Sequence, residues 1–171
     1  MEGEIINRVA ESTLVTFDLE EYYDQGPREV LDIKDQLFQG LLLREKDFRE
    51  YVKETDWSTY EGKNVAISCS SDAIVPTWAY MLLSSVLEPY ARHFVFGDLA
   101  HLENSLFQKS LARIDTEKYR EEKVIIKGCG RYPVPEFAYV EISRLLKPIV
   151  ASLMYGEACS AVPIYKKPKI K

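Results

Sequence analysis

YEGKNVAISCSSDAIVPTWAYMLLSSVLEP (residues 60–89) and YREEKVIIKGCGRYPVPEFAYVEISRLLKP (residues 119–148) decide the fold, because the second follows the first at a constant offset of 59. Tyr60, Val65, Ile67, Val75-Pro76, Ala79-Tyr80, Leu87 and Pro89 recur as Tyr119, Val124, Ile126, Val134-Pro135, Ala138-Tyr139, Leu146 and Pro148. Asp56 and Asp115 extend the match upstream, and Cys69 and Cys129 fall one position out of register. A second echo, Leu37-Phe38-Gln39 with Leu106-Phe107-Gln108, needs an offset of 69. Two copies are too few for a solenoid, which needs three or more units to bury a continuous core. They fit two pseudo-symmetric strand–loop–helix units.

Each copy begins with an apolar run, Asn64–Cys69 and Lys123–Lys127, of the kind that becomes a strand buried on both faces. Pro76 and Pro135 then stand where a helix opens, since the first helical residue has no partner for an N–H. The first helix is predicted to reach about Leu87. The second is predicted to run from Pro135 to about Tyr155, kinked at Pro148 and ended by Gly156. Between the copies, His93–Gly97 reads as a strand and Asp98 as the cap of a helix reaching about Arg113. Strands alternating with helices imply parallel pairing. The expected fold is α/β, a small sandwich with a mainly parallel sheet built around the two repeats.

The 171 residues suit a single domain over 1–171. Residues 1–35 look least regular, with helical turns over 5–11 and short strands at Leu14–Asp18 and Val30–Ile33, and are expected to cover the domain or to form a homodimer. Phe48, Tyr51 and Val52 place a helix over Arg44–Glu54. No apolar run approaches 18 residues, and the acidic, interrupted N-terminus lacks the basic start of a secretory signal, so the chain reads as cytoplasmic with no membrane partner.

Net charge is −5, distributed as −9 over residues 1–62 and +4 over 63–171. The acidic first third argues against a broad nucleic-acid surface, and the tail Lys166–Lys171 reads as a solvated end. The partner expected is a protein or a second copy. Three cysteines, with no CxxC, fit neither a disulfide framework nor a zinc ribbon.

If the sheet runs in the order 2-1-3, the two repeat strands are neighbours, and a crevice opens where the winding reverses. Ser70, Ser71 and Asp72 would wall one side with Cys69, and Gly128, Gly130 and Arg131 the other with Cys129. The helix starts near Pro76 and Pro135 favour anions there and would lower a thiol's pKa, as would Arg131. Gly128 and Gly130 leave room around Cys129, which makes it the best candidate for a functional thiol. Cys159, in Gly156-Glu157-Ala158-Cys159-Ser160, comes second and Cys69 third. Each has a competing reading as a small buried hydrophobe. His93 and His101 read as structural or surface residues, Asp18–Asp24 as a solvated acidic run, and Tyr80 and Tyr139 as core. No GxGxxG, Walker or GxSxG loop is present.

ISCSSDAIVPTWAYMLL, KGCGRYPVPEFAY and SLMYGEACSAVPIY, with EIINRV near the start, resemble an uncharacterised bacterial family, a domain of unknown function. The resemblance covers nearly the whole chain. It implies no activity, cofactor or catalytic residue; it implies members encoded near iron–sulfur cluster assembly components, which draws attention to the cysteines. The reading is a cysteine-dependent accessory factor handling a soft metal (zinc, copper(I)), an iron–sulfur cluster or a sulfur species through Cys129, Cys159 and Cys69. Three thiols fall short of the four a cluster usually takes. The alternative is a non-catalytic interaction or small-anion-binding module using the crevice at the strand ends.

Overall fold

A computed structural model of the chain describes residues 14–168. The helical turns expected over 5–11 and the last three residues of the basic tail lie outside the described residues. Among the described residues the fold is mixed α/β, with four α-helices and two mostly parallel sheets. Two compact units divide it: residues 24–106, and residues 1–23 with 107–171.

In the first unit, β2 (Arg28–Asp32), β3 (Asn64–Ser68) and β4 (His93–Phe96) pair in parallel in the order β2-β3-β4. The middle of the central strand, Val65-Ala66-Ile67, is apolar because both of its faces are covered. Val65 and Ile67 pack with Phe48 and Val52 of α1 (Glu45–Glu54) and with Ala79, Leu83 and Leu87 of α2 (Thr77–Leu87). Ala66, between them in the strand alternation, packs with Leu102 and Leu106 of α3 (Leu99–Leu111), which carries the chain into the second unit. Ala79, Leu83 and Leu87 recur every fourth residue and so share one face of α2. Pro76 precedes the helix as its N-cap. Trp57 is buried and donates its indole N–H to the Val52 carbonyl at 2.8 Å, satisfying an acceptor near the end of α1.

In the second unit, β1 (Leu14–Asp18), β5 (Lys123–Lys127) and β6 (Ser152–Tyr155) are parallel, and β7 (Val162–Lys166) closes the sheet antiparallel, in the order β1-β5-β6-β7. Val124 and Ile126 of β5 pack with Phe17, Leu19 and Leu153, and with Ala138, Ile142 and Leu146 of α4 (Glu136–Leu146). Backbone details run in parallel between the units. Gly97 donates to the Ile67 carbonyl at 2.9 Å, and Gly156 to that of Ile126 at 3.0 Å. Gly62 donates to Tyr90 at 3.0 Å, and Glu121 to Ile149 at 2.8 Å, with both donors at positive φ.

Two expectations are corrected. The last helix does not continue to Tyr155: α4 ends at Leu146, and Ser152–Tyr155 is a strand. Pro148 has no N–H to continue the helical ladder, and the N–H groups of Ile149 and Val150 turn back to the Leu146 carbonyl at 3.0 and 3.1 Å. The edge of β5 then offers SLMY a full ladder and buries Leu153. The second correction concerns strand order. The repeat strands β3 and β5 are not neighbours in a 2-1-3 sheet but are the inner strands of separate sheets. The short N-terminal strands make the difference, because β2 takes the edge of β3 and β1 takes the edge of β5, each in parallel.

Candidate functional site

Because β3 and β5 belong to different sheets, the predicted crevice between their loops does not form as a switch point. The residues assigned to it belong to two different units. Cys69, Ser70, Ser71 and Asp72 follow β3 in one unit, and Gly128, Cys129, Gly130 and Arg131 follow β5 in the other.

After β3 the serines are consumed by the fold. The Asp32 carboxylate accepts the Ser70 hydroxyl at 2.6 Å and the Ser70 N–H at 3.0 Å, and the Ser71 hydroxyl donates to the Gly40 carbonyl at 3.1 Å. Cys69 is half-buried, with its sulfur 3.7 Å from the Ser71 carbonyl. Asp72 is exposed.

At the carboxyl ends of β1, β5 and β6 a cavity of about 420 Å³ opens within the second unit. Asp18, Glu20, Lys127, Gly128, Cys129, Gly130, Gly156 and Glu157 line it. Cys129 is exposed, and the hydroxyl of Tyr155 lies 3.1 Å and that of Tyr139 3.7 Å from its Sγ. The two rings meet edge to face, 5.7 Å between centroids and 80° between planes. Tyr155 arrives from the last residue of β6, directly across from Ile126 in the sheet, and Tyr139 from the first turn of α4. Parallel strand ends and a helix start thus converge on one sulfur.

Both glycines beside the cysteine admit a neighbour. A Cβ at Gly128 would stand 2.8 Å from the Tyr139 hydroxyl, and one at Gly130 would stand 2.8 Å from Glu20 Oε1. The Glu20 carboxylate accepts backbone N–H groups from Gly130, from Arg131 at 2.8 Å and from Tyr132 at 3.3 Å. Glu20 is held in turn by its own backbone, whose N–H donates to Asp18 at 3.0 Å, while Asp18 pairs with Lys127 at 3.3 Å.

The electrostatics follow from these contacts. The Tyr155 hydroxyl first, and the Tyr139 hydroxyl second, stabilise a thiolate and hold Cys129 below the ordinary thiol value, against partial burial and the charge of Glu20. The same sulfur raises Tyr155, and burial followed by the sulfur raises Tyr139, so both phenols stay protonated as donors. The Arg131 N–H leads the bonds that lower Glu20. The predicted cause of thiol activation was different. Arg131 instead lies with its guanidinium 5.1 Å from the centre of the Tyr132 ring, and the lowering comes first from the two phenols, with the Gly128 backbone adding to it.

The remaining predicted ligands lie elsewhere. Cys159 is exposed in the loop between β6 and β7 and does not line the cavity. His93 Nε2 lies 2.8 Å from the Ser105 hydroxyl, and His101 Nδ1 lies 2.7 Å from Asp98. Among the described residues, no group of three or more His, Cys, Asp or Glu is placed to hold a metal ion. No helix among them is long and apolar enough to cross a membrane.

Sequence reasoning passed over Glu20, Asp18, Tyr139 and Tyr155. One signal was available: Phe96-Gly97 and Tyr155-Gly156 also stand 59 apart, and matching them identifies SLMY as a strand and puts Tyr155 at its end.

The chain belongs to the family described as Protein of unknown function (DUF2480), whose model matches residues 3–167. No curated protein and no solved structure matches it.

Proposed function

We propose that this member of an uncharacterised family is a cysteine-dependent accessory factor that handles a sulfur species at Cys129. The observation that carries the proposal is the placement of Sγ between the hydroxyls of Tyr155 and Tyr139 at a 420 Å³ cavity. Phenols kept protonated are poor metal ligands and good donors to a sulfur anion. They serve a thiolate, and equally the terminal sulfur of a persulfide. The Cys129 thiolate attacks the outer sulfur of a persulfide donor. A new S–S bond forms, the donor's own S–S bond breaks, and the donor leaves as a thiolate with the electron pair; a thiol acceptor takes the sulfur by the same exchange in reverse. A reducing cytoplasm, which keeps Cys129 free, suits this chemistry.

Sulfur handling is favoured over soft-metal binding because, among the described residues, Cys129 belongs to no group of three or more His, Cys, Asp or Glu placed to hold a metal ion, and the carboxylates that share its cavity are hard ligands. It is favoured over small-anion binding because the N–H groups of residues 130–132 are already turned to Glu20, and acidic side chains outnumber Lys127 in the lining. Incubation with a low-molecular persulfide, followed by intact-mass and peptide mapping, is the test. The expected result is one added sulfur atom on Cys129, absent from Cys129→Ser. Sulfur added equally to Cys69 and Cys159 would sink the proposal, and metal bound stoichiometrically by anaerobically purified protein would replace it with the soft-metal reading.

We infer further that the two units are pseudo-symmetric copies. Supporting this are the shared 59-residue offset of β3 and β5, of α2 and α4 and of β4 and β6, and the paired backbone hydrogen bonds.

A second reading rests on a different observation. Ile74 is 88% and Leu41 65% exposed, on two segments tied by the Leu42–Ile74 bridge. Such a patch fits a protein interface, here a second copy of the chain. Ile74→Asp should then lower the solution mass from dimer to monomer; a wild-type monomer at micromolar concentration rejects it.

A further inference from the structure

Resting on the assignment of Cys129 as the working thiol, we propose that Glu157 and Glu20 make its cavity selective for cationic over anionic sulfur donors. Four ionisable side chains line the cavity besides the cysteine: Asp18, Glu20 and Glu157 are acidic, and Lys127 is basic. Lys127 sits 3.3 Å from Asp18, so that pair cancels and the two glutamates set the sign. Glu20 cannot swing away at little cost, because three backbone N–H groups hold its carboxylate beside Gly130. Glu157 follows Gly156, whose φ of 108° aims the chain after β6, and is exposed at the rim. The thiolate adds a third negative charge during reaction. An incoming anion meets repulsion from all three, whereas an ammonium group on the donor gains from them, most strongly at low salt because Cys129 and Glu157 are exposed. The donor class that fits is a small persulfide or disulfide carrying an amine rather than one carrying only carboxylates.

The test uses the intact protein and two methanethiosulfonates of similar size, one bearing trimethylammonium and one bearing sulfonate. The Cys129 thiolate attacks the sulfenyl sulfur, a mixed disulfide forms, the S–SO₂ bond breaks, and methanesulfinate leaves with the electron pair. Peptide mapping reads modification at Cys129, and each rate is divided by that of a neutral cysteine derivative, which removes the reagents' intrinsic difference. The corrected cationic-to-anionic ratio is expected to be on the order of tenfold at low salt and to shrink toward one as salt is raised past about 0.1 M. Glu157→Gln should lower the ratio without disturbing the bonds that Glu20 makes; Glu20→Gln should lower it as well. A corrected ratio near one, or one favouring the sulfonate, overturns the charge selectivity while leaving Cys129 reactive. Failure of Cys129 to react with either reagent, while Cys159 does, overturns the thiol assignment and the inference with it.

Discussion

The loops after β3 and β5 start from the same plan and end in different chemistry. Each follows the inner strand of a parallel sheet, and each stands beside an aspartate closing the neighbouring strand: Asp32 opposite Ser68, Asp18 opposite Lys127. At the offset of 59, Ser70 occupies the position of Cys129, Cys69 that of Gly128, and Phe96 that of Tyr155. Asp32 therefore finds a hydroxyl and an N–H in Ser70 and seals its loop. Asp18 finds Lys127 instead, and its loop is held by Glu20, which leaves Cys129 facing a cavity and two phenols. Tyr80 meets Phe96 edge to face at 4.8 Å, repeating the Tyr139–Tyr155 geometry without the second hydroxyl. Shared apolar positions carry the fold, and a few polar substitutions at the strand ends separate a sealed loop from one that leaves a thiol facing a cavity.

Removing apolar bulk from either unit is expected to have the largest effect, and it tests the sameness of the cores. Leu87 and Leu146 are fully buried at the same point of α2 and α4. Leu87→Ala and Leu146→Ala should each cost about 2–5 kcal/mol by chemical denaturation. A cost under about 1 kcal/mol for one and a full cost for the other would break the parallel. Gly128→Ala comes next and tests where the loops differ. Its Cβ would press on the Tyr139 hydroxyl, on Leu19 at 3.1 Å and on Val134 at 3.2 Å. An overpacking loss of about 1–3 kcal/mol is expected. Cys69→Ala, at the matching position, keeps a Cβ the loop already accommodates and should cost less. Equal losses at the two positions would contradict the assigned role of Gly128.

Acidity of the thiol gives a smaller and more specific effect. Cys129 should react with an uncharged alkylating probe with a pH midpoint below the free-thiol value of about 8.5. Tyr155→Phe removes the first of the two donors and should move that midpoint up, while the thermal midpoint stays close to wild type. A midpoint that does not move in Tyr155→Phe would show that the hydroxyl contributes nothing to the thiolate.

The apolar plan was legible in the sequence because it obeys local rules. The doubly buried strands, the prolines opening α2 and α4, and the helical spacing in Glu45–Glu54 each express a periodicity or a backbone restriction. Strand partnership was harder to read. SLMY is four residues long, and only the open edge of β5 makes it a strand. The pairing of β1 with β5 joins residues more than a hundred positions apart, so no window of sequence contains it. The thiol and its glycines could be singled out by type, whereas Tyr139 has the pattern of a core residue and Glu20 that of a solvated one. Both acquire their roles from a loop that reaches them only in the folded chain.

Glu20 provides the finest test of the comparison, since Lys34 stands in the matching place after β2, with its N–H on Asp32 at 3.1 Å just as that of Glu20 is on Asp18. Only the second loop is tied down by a carboxylate at that place. The N–H donors of Arg131, Gly130 and Tyr132 keep Glu20 ionised below the usual carboxylate range. A carboxylate whose folded pKa is depressed adds stability that is fully present above its unfolded value of about 4.3 and is lost as pH falls through the lower folded value. Glu20→Gln keeps one acceptor oxygen and removes the charge, so it should be less stable than wild type at neutral pH, with the gap closing below about pH 4. Lys34→Gln, which removes only a partly exposed ion pair to Asp32 at 3.7 Å, should show a smaller gap than Glu20→Gln. The same substitution of Glu20 takes a negative charge away from the thiolate and should lower the Cys129 midpoint, opposite to Tyr155→Phe. If Glu20→Gln and wild type lose stability in parallel across acid pH, the carboxylate does not hold the Cys129 loop, and the contrast between the two strand ends reduces to the residues beside the sulfur.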